Sequence, residues 1–261
     1  MERGLGDIGR DAPAPQAAPP GSELGPIDEM NRSLQENPDP THRYVQLATV
    51  RPDGTPACRT VVFRGFMADA AVAGLPSCAL QFTTDTLSEK AAELAANSAA
   101  EACWWFPTSQ EQYRVQGRLR LITDALSEEA GEEEAALAKA RRVMWAKMSP
   151  RARLSWLWPA PKSERPADAT TEQDEADYSP VLPPESEPAG RYPVTEGDPD
   201  SVENTGVPLP RFALLLLVPT AVDHFQLAGF PQRRAIYTLR DAETAASLLG
   251  PDAWQRTWVS P

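Results

Sequence analysis

Cys58-Arg59-Thr60-Val61-Val62-Phe63-Arg64 is the stretch on which the reading of the chain turns. Four residues of strong β character lie between two arginines, so the run reads as a strand with a basic group near each end. Arginines five positions apart fall on opposite faces of a strand unless a bulge or bend turns one of them. Just upstream, 44–50 alternates as a second strand. Pro52-Asp53-Gly54 reads as the turn between them, because proline presets φ and glycine tolerates a positive one. The expected hairpin carries Arg59 on its second arm, 57–63, and Arg64 at that arm's end.

Downstream, Phe82-Thr83-Thr84-Asp85-Thr86-Leu87-Ser88-Glu89-Lys90 reads as a strand, 79–84, running into a helix, 87–97. Thr86-x-x-Glu89 fits a capping box at the junction, which accounts for Glu89 without any catalytic role. A strand end, hydroxyls, a helix N-terminus and nearby arginines are the parts of a phosphate cradle. Arg59, Arg64, Thr84, Ser88, Lys90 and Gln112 are its candidate residues. The bland alternative is a hairpin with surface arginines next to a capped helix.

Further strands are expected at 101–106 and, after a Pro107-Thr108-Ser109 turn, at 112–122. Gly117, in the middle of the second, marks a bulge or a close approach of backbones. The acidic start and basic end of 123–148 suit a helix dipole. A short helix is expected at 151–158, stopped by Pro159. Strands at 211–217 and 221–227, separated at Pro219, and at 234–239 and 254–259 complete the list. Many strands with about three helices between them predict an α+β domain built on an antiparallel barrel.

The net charge of −12 belongs mostly to one segment. Between positions 161 and 205 there are 12 acidic and 3 basic residues, a net of −9, so the rest of the chain carries about −3. That leaves no broad basic face for nucleic acid. Residues 1–27, rich in Pro, Ala and Gly, read as an unstructured leader, and 159–210 as an acidic, proline-rich insert. The split divides the expected domain into 28–158 and 211–261. The apolar run at 212–218 is too short to cross a membrane, and no secretory signal is visible. Three widely spaced cysteines, Cys58, Cys78 and Cys103, argue for a reducing compartment; cytoplasm is the expectation, with a plastid address left open. Asn31-Arg32-Ser33 matches a glycosylation sequon by chance. Only His42 and His224 are present, both read as structural or surface residues, and neither a metal site nor a serine triad is supported. The seven tryptophans read first as core or interface residues and second as pocket walls.

Arg59-x-x-x-x-Arg64, Phe82-x-Thr84-x-x-x-Ser88-x-Lys90, Gln112-x-x-x-x-Gly117 and the terminal 253–261 together resemble the pyridoxamine 5'-phosphate oxidase family. The closer resemblance is to its short FMN-binding split-barrel proteins, which include cyanobacterial and plant members. It implies an α+β antiparallel split β-barrel with flanking helices, forming a homodimer with FMN at the subunit interface. It further implies that Arg59 and Lys90 hold the FMN phosphate with Thr84 and Ser88. Arg64 would stand near flavin and substrate, Gln112 would reach the isoalloxazine, and Arg234 would contact flavin. Phe225 is the candidate aromatic packed on the flavin, with its register open by one residue.

Two departures bear on function. Glu89 stands where the family often has an arginine, and Leu87 precedes Ser88, so one phosphate ligand is missing. The arginine-x-histidine-aspartate element for substrate phosphate is also absent, Phe230-Pro231-Gln232-Arg233-Arg234 occupying its place. The implied activity is an FMN-dependent oxidoreductase, with pyridoxamine or pyridoxine 5'-phosphate, a small phosphorylated molecule, as the first substrate to test. A flavin-binding module without turnover and an FMN-dependent reductase of another substrate are the alternatives.

Overall fold

The computed structural model describes residues 24–67, 78–126, 131–149, 152–153, 155–164, 209–240 and 253–261. The expected leader and insert fall mainly outside these residues, at 1–23 and 165–208. The hairpin forms as its turn residues predict. Strand β1 (Tyr44–Val50) pairs with β2 (Pro56–Val62). Gly54 adopts φ 84° and donates to the Arg51 carbonyl at 2.9 Å, while the Asp53 carboxylate accepts from the Thr55 amide. Ahead of this hairpin, α1 (Pro26–Glu36) covers part of the sheet with Ile27, Met30 and Ser33. After it come β3 (Leu80–Asp85), helix α2 (Glu89–Ala96), β4 (Ala99–Phe106) and β5 (Glu111–Ile122). Helix α3 (Glu132–Ala146), β6 (Phe212–Gln226), β7 (Arg233–Leu239) and β8 (Trp254–Val259) complete the fold.

All pairings are antiparallel, in the order β2-β1-β4-β5-β6-β7-β8, with β3 on β6. The sheet curls without closing, which is a split barrel. Strand β6 is its hub. Its first half pairs with β3 through Leu217, and its second half pairs with β7 from Ala221 onward; β5 lies on the other side throughout. This corrects the expectation of two strands separated at Pro219. Pro219 sits in the gap where β6 changes neighbours, so the amide it lacks has no strand to serve there. The register against β5 slips at the same place: Gly117 faces Pro219, Gln116 faces Ala221, and Thr220 is left over. A β-carbon at Gly117 would lie 2.1 Å from the Val218 carbonyl oxygen, so the close approach read from the sequence is a real constraint.

The alternation of β6 serves two cores. Leu215 and Leu217 face the barrel interior with Leu47, Phe63, Trp104, Tyr113 and Tyr237. Leu214 and Leu216 face α3, with Met144, Trp145, Trp156 and Phe212. A strand buried on both faces is apolar at every position, which is why 212–218 reads as one unbroken run.

Other differences from the sequence reading are local. The helix expected at 123–148 starts at Glu132, with Gly131 as its N-cap at φ 139°; positions 127–130 lie outside the described residues. Of the short helix expected at 151–158, Ala152 and Arg153 are helical and Ser155–Leu157 forms a 3-10 turn, while positions 151 and 154 lie outside the described residues. Helix α1 has no counterpart in the sequence reading, although Gly25, Pro26 and the acidic first turn of Asp28 and Glu29 are helix-start signals. The Pro, Ala and Gly composition of the preceding residues masks them.

Candidate functional site

The site begins where β3 ends. The Asp85 carbonyl accepts from the Ser88 amide at 3.0 Å, and its carboxylate accepts from the Leu87 amide at 2.8 Å. This turn delays the helix, so Ser88 is the N-cap, and the expected capping box of Thr86 with Glu89 does not form. Ser88 does not cap with its side chain either. Its hydroxyl lies 3.1 Å from the Thr84 hydroxyl, which also accepts from the Lys90 ammonium at 2.9 Å. Thr84, Ser88 and Lys90 thus converge on a cavity of about 360 Å³, whose walls include Thr60, Asp85 and Trp156. Burial, and then the nearby Arg59 charge, pull the Lys90 ammonium below its ordinary value. An ammonium disfavoured in that way gains from an anion beside it. Ser88 and Lys90, at the start of α2, both line this cavity, and a helix N-terminus favours an anion.

Arg59 stands one step behind this group. Its guanidinium donates to Glu93 of α2 at 2.6 Å and also contacts the Thr49 hydroxyl. Glu93 is buried and accepts from Thr49 as well, at 2.5 Å. Arg59 therefore ties β2 to α2 and does not itself line the cavity. Arg64 follows the end of β2, exposed, with its amide bonded to the Gln81 carbonyl at 2.8 Å.

Gln112 and Arg234 lie elsewhere, on the outer face of the sheet. Strand pairing sets Trp105, Gln112, Phe225, Arg234 and Val259 in one row across β4 to β8. Phe225 faces outward in that row, while His224 faces the core. Two residues before Phe225, Asp223 accepts two bonds from Arg234, at 2.9 and 2.6 Å, and pairs with Arg114 at 3.0 Å. The candidates therefore form two groups, the cradle around Lys90 and the outer row.

Several residues of the site were not legible in the sequence. Trp156 closes one wall and donates from its indole to the Thr84 carbonyl at 3.1 Å. Arg211 pairs with Asp85, and Lys162 with Glu89. Each arrives from a segment remote in sequence, and no local pattern marks it. Of the other tryptophans, Trp104, Trp145 and Trp254 are buried, whereas Trp105 and Trp258 are exposed.

Comparisons with known proteins identify the family. Residues 27–123 match the family described as pyridoxamine 5'-phosphate oxidase, FMN-binding domain. The chain is 31% identical over 184 residues to pyridoxine/pyridoxamine 5'-phosphate oxidase 2 of Arabidopsis thaliana, covering 70% of this chain and 73% of that one. A pyridoxamine 5'-phosphate oxidase-related, FMN-binding protein from Nostoc punctiforme shares 34% identity and a TM-score of 0.67, over 92% of this chain and 100% of that one. PhzG from Burkholderia lata shares the fold, at 18% identity and a TM-score of 0.60, over 96% and 98% of the two chains. The donor set around Thr84 suits the phosphate of such a cofactor: one ammonium, two hydroxyls and a helix N-terminus on one cavity. This chain belongs to the pyridoxamine 5'-phosphate oxidase family, and its cofactor is FMN.

Proposed function

We propose that the protein is an FMN-dependent oxidoreductase whose substrate is a small phosphorylated amine or alcohol, pyridoxamine or pyridoxine 5'-phosphate first among them. The reading assigns it to vitamin B6 metabolism and to the cytoplasm. The observation that carries it is the convergence of Lys90, Thr84 and Ser88 on one cavity at the start of α2. In that cavity Lys90 supplies the charge that binds the phosphate, and the hydroxyls of Thr84 and Ser88 orient it. Arg59 adds a second positive charge from its place on Glu93. Arg64, exposed beyond the end of β2, meets a substrate phosphate at the mouth. When bound, the flavin accepts the hydride; the chain binds, orients and excludes water.

Gln112, Phe225 and Arg234 lie on a different part of the subunit from the cradle, and a homodimer gives them a role. Their sheet face also carries exposed Tyr44, Trp105 and Val259, an apolar surface suited to a second copy. In that arrangement the row from one subunit reaches the flavin of the other. Among the described residues no helix is long and apolar enough to cross a membrane. With its acidity confined mainly to 161–205 and no broad basic face, the chain is read as having no nucleic-acid partner. We read it as a single split barrel, 28–158 with 211–261, preceded by a leader (1–27) and interrupted by an insert (159–210).

A second reading, flavin binding without turnover or with another substrate, is favoured by the loop before β7. Phe230 there is fully exposed, and no histidine follows. The test is an absorbance spectrum of purified protein, then anaerobic addition of pyridoxamine 5'-phosphate. Flavin bands that bleach are the expected result. Bands that persist select the second reading, and absence of flavin after reconstitution removes both.

A further inference from the structure

The cradle offers cations and hydroxyls, yet two carboxylates stand at its rim. Asp85 lines the cavity where β3 ends, and Glu89 is the first residue of α2. A phosphate held by Thr84, Ser88 and Lys90 would meet the Asp85 charge in the same wall and the Glu89 charge on the residue between Ser88 and Lys90. Each is already met by a cation, and the two cations flank one stretch of chain, residues 165–208. Lys162, before it, donates to the Glu89 carboxylate at 2.6 Å. Arg211, after it, makes a two-pronged pair with Asp85, with Nε 3.3 Å from Oδ1 and Nη2 on Oδ2.

Arg211 is held by bonds beyond the pair itself. Arg211 also donates to the Trp158 carbonyl at 2.5 Å, and its own carbonyl accepts from the Thr86 amide at 2.9 Å. Pro161, next to Lys162, is part of the cavity wall, as is Trp156 on the same approach. Lys162 and Arg211 are thus fastened to the turn and helix start that carry the cradle. The Lys162 bond is the main reason that the Glu89 carboxyl lies below its ordinary value, so Glu89 is a full negative charge at neutral pH. An exposed pair of this kind adds little to folding. It does cancel a charge that would otherwise repel an incoming phosphate dianion.

We propose that Lys162 and Arg211 set the affinity of the cavity for the cofactor phosphate, by neutralising Glu89 and Asp85 at its rim. The proposal rests on the reading of this cavity as the FMN phosphate site. It makes residues on either side of the 165–208 stretch determinants of cofactor binding.

The experiment is a titration of the full-length apoprotein with FMN and with riboflavin, which lacks the phosphate, followed by flavin fluorescence. Lys162→Ala raises the Kd for FMN about three- to fivefold at low ionic strength, the scale of an exposed charge pair. Its Kd for riboflavin is unchanged, and the loss shrinks in about 0.5 M salt as screening shortens to a few ångströms. Lys162→Ala combined with Glu89→Gln returns the FMN Kd to within about twofold of wild type, because the unpaired charge is gone. Arg211→Gln combined with Asp85→Asn is the parallel pair, checked for folding by its melting temperature. An unchanged FMN Kd for Lys162→Ala overturns the proposal, as does an equal loss for FMN and riboflavin. Wild-type protein that binds riboflavin and FMN equally well overturns the phosphate-site reading itself, and the proposal with it.

Discussion

A buried carboxylate persists only if donors replace the water it gives up. Glu111 has four: Arg32 at 2.6 Å, Ser33 at 2.5 Å, Gln226 at 2.9 Å and, depending on its tautomer, the His224 ring at 3.1 Å. Burial alone would push its carboxyl up, but the bonds from His224, Ser33 and Gln226 hold it far below the ordinary 4.5. His224 also stacks on Tyr113, with ring centres 4.2 Å apart, so the structural reading of that histidine agrees with its surroundings. Glu111→Gln should lower stability by about 2–4 kcal/mol at pH 7, from the charged bonds lost at a buried site. Because the folded value is depressed, this contribution is present above pH 4.5 and is lost as the pH falls below it. Denaturant melts at pH 7 and pH 4 should show the gap between variant and wild type narrowing; a constant gap would mean that the charge is not what matters. None of this was legible in the sequence. Glu111 falls there just outside the strand expected at 112–122, and its partners lie 78 to 115 positions away. The cradle was legible because Thr84, Ser88 and Lys90 are close neighbours, whereas the Glu93 that restrains Arg59 is 34 positions from it.

Among the elements, β1 and β8 have the bounds that alternation and turn residues predict, 44–50 and 254–259. A strand with one face inward and one outward writes its period plainly. Strand β6 does not, because it is buried on both faces and holds a proline. Pro219 looks like a stop until its neighbours are known. Gly117 was readable because a lone glycine weakens a strand interior, so its presence there signals a bulge or a backbone that comes close. Gly117→Ala should destabilise the fold by about 2 kcal/mol or more, since the new methyl meets backbone and not a side chain that can turn away. Gln116→Ala, at the exposed neighbouring position, should stay within about 0.5 kcal/mol. Equal effects in chemical denaturation would place the constraint in the register slip rather than at the glycine.

At the scale of the whole molecule, the outer sheet face is the surface to test. Trp105, 41% exposed, sits opposite Gln112 in the row that ends at Val259. Wild-type protein should elute at twice the 28.4 kDa chain mass. Trp105→Lys should shift it toward the single chain and release flavin, with the circular dichroism of the fold retained. A wild-type single chain that keeps its flavin would sink the dimer.

Strand β6, lastly, arrives late. β3 depends on it for its strand partner and β5 for its second, yet Phe212 follows Ile122 by the whole of α3 and the 165–208 stretch. On a ribosome, that stretch alone takes roughly 2–9 s to make. Throughout that interval the nascent chain holds two strand edges with nothing to receive them. Yield in a cell-free system should therefore respond to chaperones and to translation speed more than the stability of the finished barrel would suggest.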